Sequence, residues 1–462
     1  MKETMDSQQA DNRNPLERLL GLFAPVRGGE GGVVLLMALN IFLLMTAYYI
    51  IKPVREALIL ADWGAEAKIY ASAGQAVLYL GLVPLYSRLA DRMPVKRLIT
   101  TVLLFFAGCL VVFYFLALTG LDIGIAFYLW VGIFNMMVVA QFWSFANDFY
   151  TEDQGKRLFA IIGFGMSAGA VSGGFITGRL IGPLGLHQLL LLSGAMLLLS
   201  LVLTRITERR RTTARARRSA APVETATMEA GNGFALVFRN RYLLLIASML
   251  IMLNLVNTTG EYILGARVAQ TQEETTPVVV RTAGMTDAEF TSATKARQDT
   301  VRGGIGTFYA NFFSVVNLAG LLIQLFLVSR IVAWIGVHRA VMVLPVLAMG
   351  GYALVAVFPV LAVARWVKTA ENATDYSLQN TVRNMLFLPT TRGEKYKAKQ
   401  AIDTFFVRMG DVMAALLVLV GTTVLGLTAG SFAAVNVALA AVWVVLAYFI
   451  GRRYLRLSGR SS

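Results

Sequence analysis

The chain has 462 residues, of which 56% are hydrophobic and only 15% charged, and its mean hydropathy is +0.63. That balance excludes an ordinary water-soluble domain. One cysteine, Cys109, excludes a disulfide framework, and two histidines at segment ends, His187 and His338, make no metal site. The formal net charge of +15 would suit a nucleic-acid binder, but its placement along the chain points to membrane topology instead.

Residues 1–31 are polar and are expected to form a cytoplasmic N-terminal segment, in which no cleavable signal is read. A short apolar patch there (Leu16, Leu19, Leu20, Leu22 and Phe23) is expected to lie on the membrane surface. Apolar runs then recur, each long enough to span a bilayer core of roughly 30 Å. Their approximate limits are 32–60, 68–87, 98–118, 122–147, 158–182, 186–205, 241–264, 304–330, 339–360, 364–388, 400–427 and 430–451, here called spans 1 to 12. The expected fold is an all-α integral membrane protein of about twelve transmembrane helices. Two six-helix halves, 32–206 and 241–451, are joined by a basic, Ala/Thr-rich linker over 207–240. The second half holds a loop at 265–303, and 452–462 is a tail.

Basic residues concentrate in alternate connections. They are Arg88, Arg92, Lys96 and Arg97; Lys156 and Arg157; Arg205 to Arg218; Arg392, Lys395, Lys397 and Lys399; and Arg452, Arg453 and Arg456. The positive-inside rule puts these connections and both termini in the cytoplasm, and the charge-balanced 265–303 outside. The expected location is the cell inner (cytoplasmic) membrane.

A charge at bilayer depth costs about 2.5–3.5 kcal/mol, so polar residues within the spans mark candidate cavity walls. Span 1 has Tyr48, Lys52 and Arg55 spaced i, i+4, i+7 on one helical face, with Pro53 and Glu56 beside them. Two positive charges turned inward suggest an anionic substrate. In span 4, Gln141, Ser144 and Asp148 share a face, with Asp148 near a solvated helix end. Span 5 repeats small residues at Gly165, Gly169 and Gly173, the pattern of close helix packing. Span 7 gives Asn254, Asn257, Thr258 and Glu261, where a carboxylate suits proton coupling or a plain ion pair. Span 8 gives Asn311, Ser314 and Asn317, which suit helix–helix hydrogen bonds as well as substrate. Asn372, Asp375, Gln379 and Arg383 read as one polar stripe down span 10, either a cavity wall or an internal hydrogen-bond network. Asp403 and Arg408 open span 11. No G-x-x-x-x-G-K-[ST] string occurs, which excludes a self-powered ATPase pump.

Parallel six-span repeats around a midplane site are the plan of major-facilitator transporters. The connection Ser87-Arg88-Leu89-Ala90-Asp91-Arg92-Met93-Pro94-Val95-Lys96-Arg97 resembles that superfamily's G-x-L-a-D-r-x-G-r-k loop, without its glycines. A narrower resemblance lies in the strings Asp375-Tyr376-Ser377-Leu378, Arg383-Asn384-Met385-Leu386-Phe387-Leu388-Pro389 and Lys395-Tyr396-Lys397-Ala398-Lys399-Gln400-Ala401-Ile402-Asp403. With Phe142-Trp143-Ser144-Phe145-Ala146-Asn147 and Asn254-Leu255-Val256-Asn257, these strings resemble the ATP/ADP translocase family, the nucleotide antiporters of plastids and intracellular bacteria. The resemblance implies a twelve-helix major-facilitator-like fold and exchange of nucleotides without hydrolysis. Arg55 and Arg383 fall where that family has lysines, and Arg408 fits its arginine at the start of the next span. Asn257 and Asn384 stand where it has acids.

The expected function is therefore secondary transport, with exchange of nucleotides or a related phosphorylated anion by alternating access. Transport of another amphiphilic or anionic solute, and a non-transporting membrane scaffold, are the alternatives. The expected substrate ligands are Lys52, Arg55, Arg383, Tyr48, Tyr376, Asn257, Gln379 and Arg408. Glu56, Glu261 and Asp375 are expected in coupling or gating. No catalytic constellation, metal site or cofactor is read. The partners expected are a small anionic solute and membrane lipid, with no nucleic acid, and the chain is read as a monomer.

Overall fold

The computed structural model describes residues 14–21, 24–215, 233–391 and 398–459. Among the described residues every regular element is helical. Leu22 and Phe23 of the surface patch, the middle of the linker and residues 392–397 of the basic connection before span 11 lie outside them. Ten helices among the described residues are long and apolar enough to cross a membrane. Spans 2 and 10 form helices as well, over Gly64–Arg92 and from Leu361 to Met385. Polar residues interrupt their apolar runs: Lys68 and Gln75 in one, and Lys368, Glu371, Asn372 and Asp375 in the other. All twelve expected spans are thus helical.

The chain forms two compact units. The first gathers residues 1–55, 82–123 and 130–226, and the second gathers 56–81, 124–129 and 227–462.

In the first unit, helix Gly31–Asp62 packs against helix Glu152–Leu184 through the predicted glycines. A methyl group on Gly165, Gly169 or Gly173 would strike the backbone of Ala38, Phe42 or Thr46 in turn. Both series advance by four residues in the same direction, so the helices run parallel with their backbones nearly touching. Thr46 Oγ1 donates across to the Gly169 carbonyl (3.3 Å), and Thr177 Oγ1 to that of Ile50 (3.4 Å). Helix Gln188–Arg215 lies antiparallel to the first. There Asn40 bonds Ser200 (2.5 Å) and Thr204 (2.7 Å), and Ser193 Oγ donates to the Ala47 carbonyl (3.0 Å). Just before the first span, the Glu30 carboxylate receives both Arg157 guanidinium nitrogens, each at 2.9 Å. It also accepts from the Arg27 N–H (3.0 Å) and from Gln154 (3.2 Å). Burial opposes ionisation of Glu30, but these bonds outweigh it and hold the carboxyl below its usual range.

In the second unit, helix Arg241–Thr275 is the central post. Helix Ala429–Ser458 packs along it through Asn436, whose amide donates to the Val256 carbonyl (3.1 Å). Gly410, on helix Val407–Thr423, sits against Ile251 and Asn254. The stretch 265–303, expected as a loop, is mostly helix. The post runs on to Thr275, the next helix starts at Asp287, and only 276–286 turns between them. Thr286 caps that next helix and receives Glu289 in return, a capping box that lets a helix begin well before its apolar portion. Arg302 on this helix grips Asp62, at the end of span 1, at 2.8 Å. The linker expected over 207–240 is helical at its two ends, because Gln188–Arg215 extends past span 6 and Gly233–Arg239 forms a short helix.

Among the described residues, π-helical turns lie at Ile323–Leu327, Asp375–Gln379 and Ile402–Phe406. The second corrects the reading of span 10 as one even stripe. A π turn adds a residue to the local repeat, so Asn372 above it and Arg383 below it do not continue a single 3.6-residue face.

Candidate functional site

The second unit holds a buried network of charges drawn from four helices. Glu56 comes from the end of span 1 and Lys68 from the start of span 2. Glu261 and Asn257 come from the post, and Lys368, Glu371 and Asn372 from span 10. Lys68 Nζ lies 2.8 Å from Glu56 Oε2 and 3.3 Å from Glu261 Oε2. The Tyr309 ring lies beneath the ammonium, 5.3 Å to its centroid. The other Glu261 oxygen lies 3.7 Å from Lys368 Nζ and accepts from Asn372 Nδ2 at 3.2 Å. Lys368 Nζ also donates to Asn257 Oδ1 (2.6 Å) and to the Asn257 carbonyl (3.2 Å), and it pairs with Glu371 (3.2 Å). Tyr352 OH closes the network by donating to Glu371 at 2.6 Å.

Glu261 is therefore the bridge. It offers one oxygen to each lysine, and its side chain is 22% exposed, whereas those of Glu56, Glu371, Lys68 and Lys368 are nearly sealed. Two lysines face three carboxylates. Buried charges persist only when paired and hydrogen-bonded, and breaking such a pair is costly. The backbone permits the crowding through Gly260, where any side chain would collide with Tyr352.

The remaining expected site residues fall into smaller groups. Arg383 Nε stands 4.0 Å from Asp403, which also pairs with Lys399 at 3.0 Å, and Arg383 bonds Asn380 at 3.1 Å. Arg408 pairs with Asp411 (3.1 Å) and lies over the Tyr79 ring, 4.9 Å to its centroid, while Thr258 donates to Asp411 at 2.8 Å. Gln379 is buried inside the span 10 π turn, and both its amide atoms lack a hydrogen-bond partner among the described residues. Asp375 opens that turn half-buried, and Tyr376 beside it is exposed. In the first unit, Lys52 is buried with its ammonium over the rings of Tyr48 (5.8 Å) and Tyr49 (5.1 Å), and Arg55 is half-buried.

Sequence reasoning missed Lys68, Lys368, Glu371 and Tyr352. A signal for three of them existed. The apolar runs of spans 2 and 10 are interrupted, by Lys68 in one and by Lys368 with Glu371 at i, i+3 in the other.

Residues 37–370, well over half the chain, match the family model of the Major Facilitator Superfamily. The chain belongs to that superfamily. Among solved structures, the nucleoside transporter NupG is similar at 13% identity and a TM-score of 0.60, covering 92% of this chain and 98% of the other. A POT family transporter in complex with 5-aminolevulinic acid gives 13% identity and 0.60, covering 92% and 96%. A bacterial homologue of the iron transporter ferroportin gives 11% identity and 0.60, covering 92% and 98%. At such identities the likeness is one of fold. No curated protein matches the chain in sequence. The superfamily consists of secondary transporters with substrate sites among their spans.

Proposed function

We propose that this transporter exchanges nucleotides, or a related phosphorylated anion, by alternating access. The observation that carries the reading is the Glu261 bridge. Two buried lysines are held by a carboxylate that is the most open charged group of its network. An incoming anion can take the place of Glu261 on Lys68 and Lys368, and protonation of Glu261 would release both lysines to it. Exchange is one-for-one in this scheme, since an anion that leaves the two lysines is replaced on them by the next anion or by Glu261 itself. Glu56 is the fixed counter-charge in this scheme, and Asp375 stands beside Gln379 at the π turn as a gating residue.

The narrowing from anion to nucleotide rests on the span 10–11 strings, with Arg383 and Arg408 as phosphate ligands. Arginine suits phosphate because its planar fork donates two hydrogen bonds at once. Lys52 and Arg55 are further candidate ligands by charge, and Tyr48 and Tyr376 are candidate faces for a base. The excess of carboxylates in the network favours a second reading, a zwitterionic solute whose ammonium meets Glu371 or Glu261. One of the structural neighbours was solved with 5-aminolevulinic acid bound.

A melting-shift screen on purified protein separates the two. A ligand at 100 times its Kd stabilises by about 2.7 kcal/mol. ATP, ADP and other phosphorylated anions should raise the melting temperature, and amino acids or peptides should not. The opposite ranking would move the assignment to the zwitterion.

A further inference from the structure

A second concentration of cations lies in the same unit, apart from the charge network. The post, Arg241–Thr275, and the last helix, Ala429–Ser458, run antiparallel. Asn436 meets Val256, and the Phe432 ring meets that of Tyr262 at 5.2 Å. Carried along both helices, this register sets Arg241 at the first turn of the post opposite Arg453 near the end of the last helix. There a cleft of about 500 Å³ opens, lined by Leu236, Arg239, Asn240, Arg241 and Arg453. Its volume falls within the range of small-ligand sites, about 300–1,000 Å³.

Three of the five lining residues are arginines and none is acidic. Some other arginines of this protein find carboxylates, as Arg157 finds Glu30, Arg302 finds Asp62 and Arg408 finds Asp411. Among the described residues none of the three cleft arginines makes an ion pair. Like charges gathered in one cleft repel, and an anion among them would relieve that repulsion. The arginines also come from separate places: the last turn of helix Gly233–Arg239, the start of the post and the end of the last helix. An anion there would tie three elements together. Next to Arg239 in sequence, Phe238 is 65% exposed and stands 6.1 Å from Phe406. Cations next to an exposed aromatic ring are the chemistry of the membrane–water boundary.

We propose that this cleft binds a phosphate group, carried by an anionic phospholipid headgroup or by a soluble phosphate compound. The proposal is independent of the transported substrate, because no cleft residue belongs to the charge network. The test uses the full chain in neutral detergent. It is titrated in turn with short-chain phosphatidylglycerol, with phosphatidylcholine of the same chain length and with inorganic phosphate, and the melting temperature is read. Phosphatidylglycerol should raise it, and phosphatidylcholine, whose choline cancels the charge, should do little. The half-saturating concentration should rise about tenfold in Arg453→Gln, as for the loss of one charge-assisted contact. It should rise further in Arg239→Gln/Arg453→Gln, and Arg453→Lys should fall between wild type and Arg453→Gln. Should the double variant not fold, the two single variants at Arg453 still decide. A shift by inorganic phosphate alone, lost in the same variants, supports the site with a soluble ligand. No shift from either anionic probe, or shifts identical in wild type and variants, would overturn it.

Discussion

The buried lysines of spans 2 and 10 are the residues on which the account most depends. Lys368 touches Glu371, Glu261 and Asn257, and removing it leaves Glu371 beside Tyr352 without a cation. Breaking a buried pair by deleting one partner costs about 3–5 kcal/mol. Lys368→Met should therefore lower the melting temperature sharply, and Lys368→Met/Glu371→Leu should recover most of the loss. A double variant as unstable as the single one would mean that Glu371 is held by Tyr352 rather than by the lysine. Among the expected ligands, Arg383→Ala should abolish transport with insertion and monodispersity preserved, and transport at the wild-type rate would remove Arg383 from the list. A second ion pair governs acid stability. The folded state depresses the Glu30 carboxyl, so its contribution is full near neutral pH, above its unfolded value, and is lost as pH falls through the folded value. Arg157→Gln should shrink the melting-temperature difference between neutral and acid pH, which thermal scans across pH would measure. At this scale the sequence was informative about which positions are polar and silent about their partners. Glu56, Asn257 and Glu261 stand out in apolar runs. Nothing in the spacing links Glu56 to Lys68 across a helical turn, or Glu261 to Lys368 more than 100 residues away, because those pairings arise only when helices pack.

Helix packing was legible where small residues repeat and illegible where the helix itself changes form. Gly165, Gly169 and Gly173 are spaced as a close-packing face, and they meet the backbone of span 1 at each step. Gly169→Ala should therefore destabilise the protein. Gly163→Ala on the same helix, where a methyl group meets nothing within 4 Å, should be neutral or stabilising by up to about 1 kcal/mol from helix propensity. Melting temperatures of the two purified variants would test this, and equal effects would remove the contact from the argument. The even count through Asn372, Asp375, Gln379 and Arg383 assumed 3.6 residues per turn throughout. The π turn at Asp375–Gln379 breaks that count and buries Gln379 with no hydrogen-bond partner. Pattern counting has no access to such a turn, since no side chain is required to make one. The extension of helices through 265–303 was missed for a related reason. A polar, charge-balanced stretch reads as loop, yet the Thr286–Glu289 capping box starts a helix within it.

For the molecule as a whole, hydropathy alone fixed the class, because twelve lipid-length runs leave little alternative to a helical membrane protein. The grouping of residues 56–81 and 124–129 with the C-terminal portion lay beyond it, since it follows from long-range contacts and no change of composition marks it. Topology remains an expectation from charge, and it has a direct check. In a Cys109→Ala background, Val280→Cys in the 276–286 turn should be labelled from outside by an impermeant thiol reagent. Arg215→Cys should be labelled only after permeabilisation, and the reverse pattern would invert the molecule. The central claim is exchange of a phosphorylated anion through the Glu261 bridge, and flux tests it most directly. Proteoliposomes preloaded with unlabelled ADP should take up labelled ATP faster than empty ones, and Glu261→Gln should erase that difference. Absence of nucleotide uptake under both conditions, together with clear uptake of a non-phosphorylated solute, would contradict it.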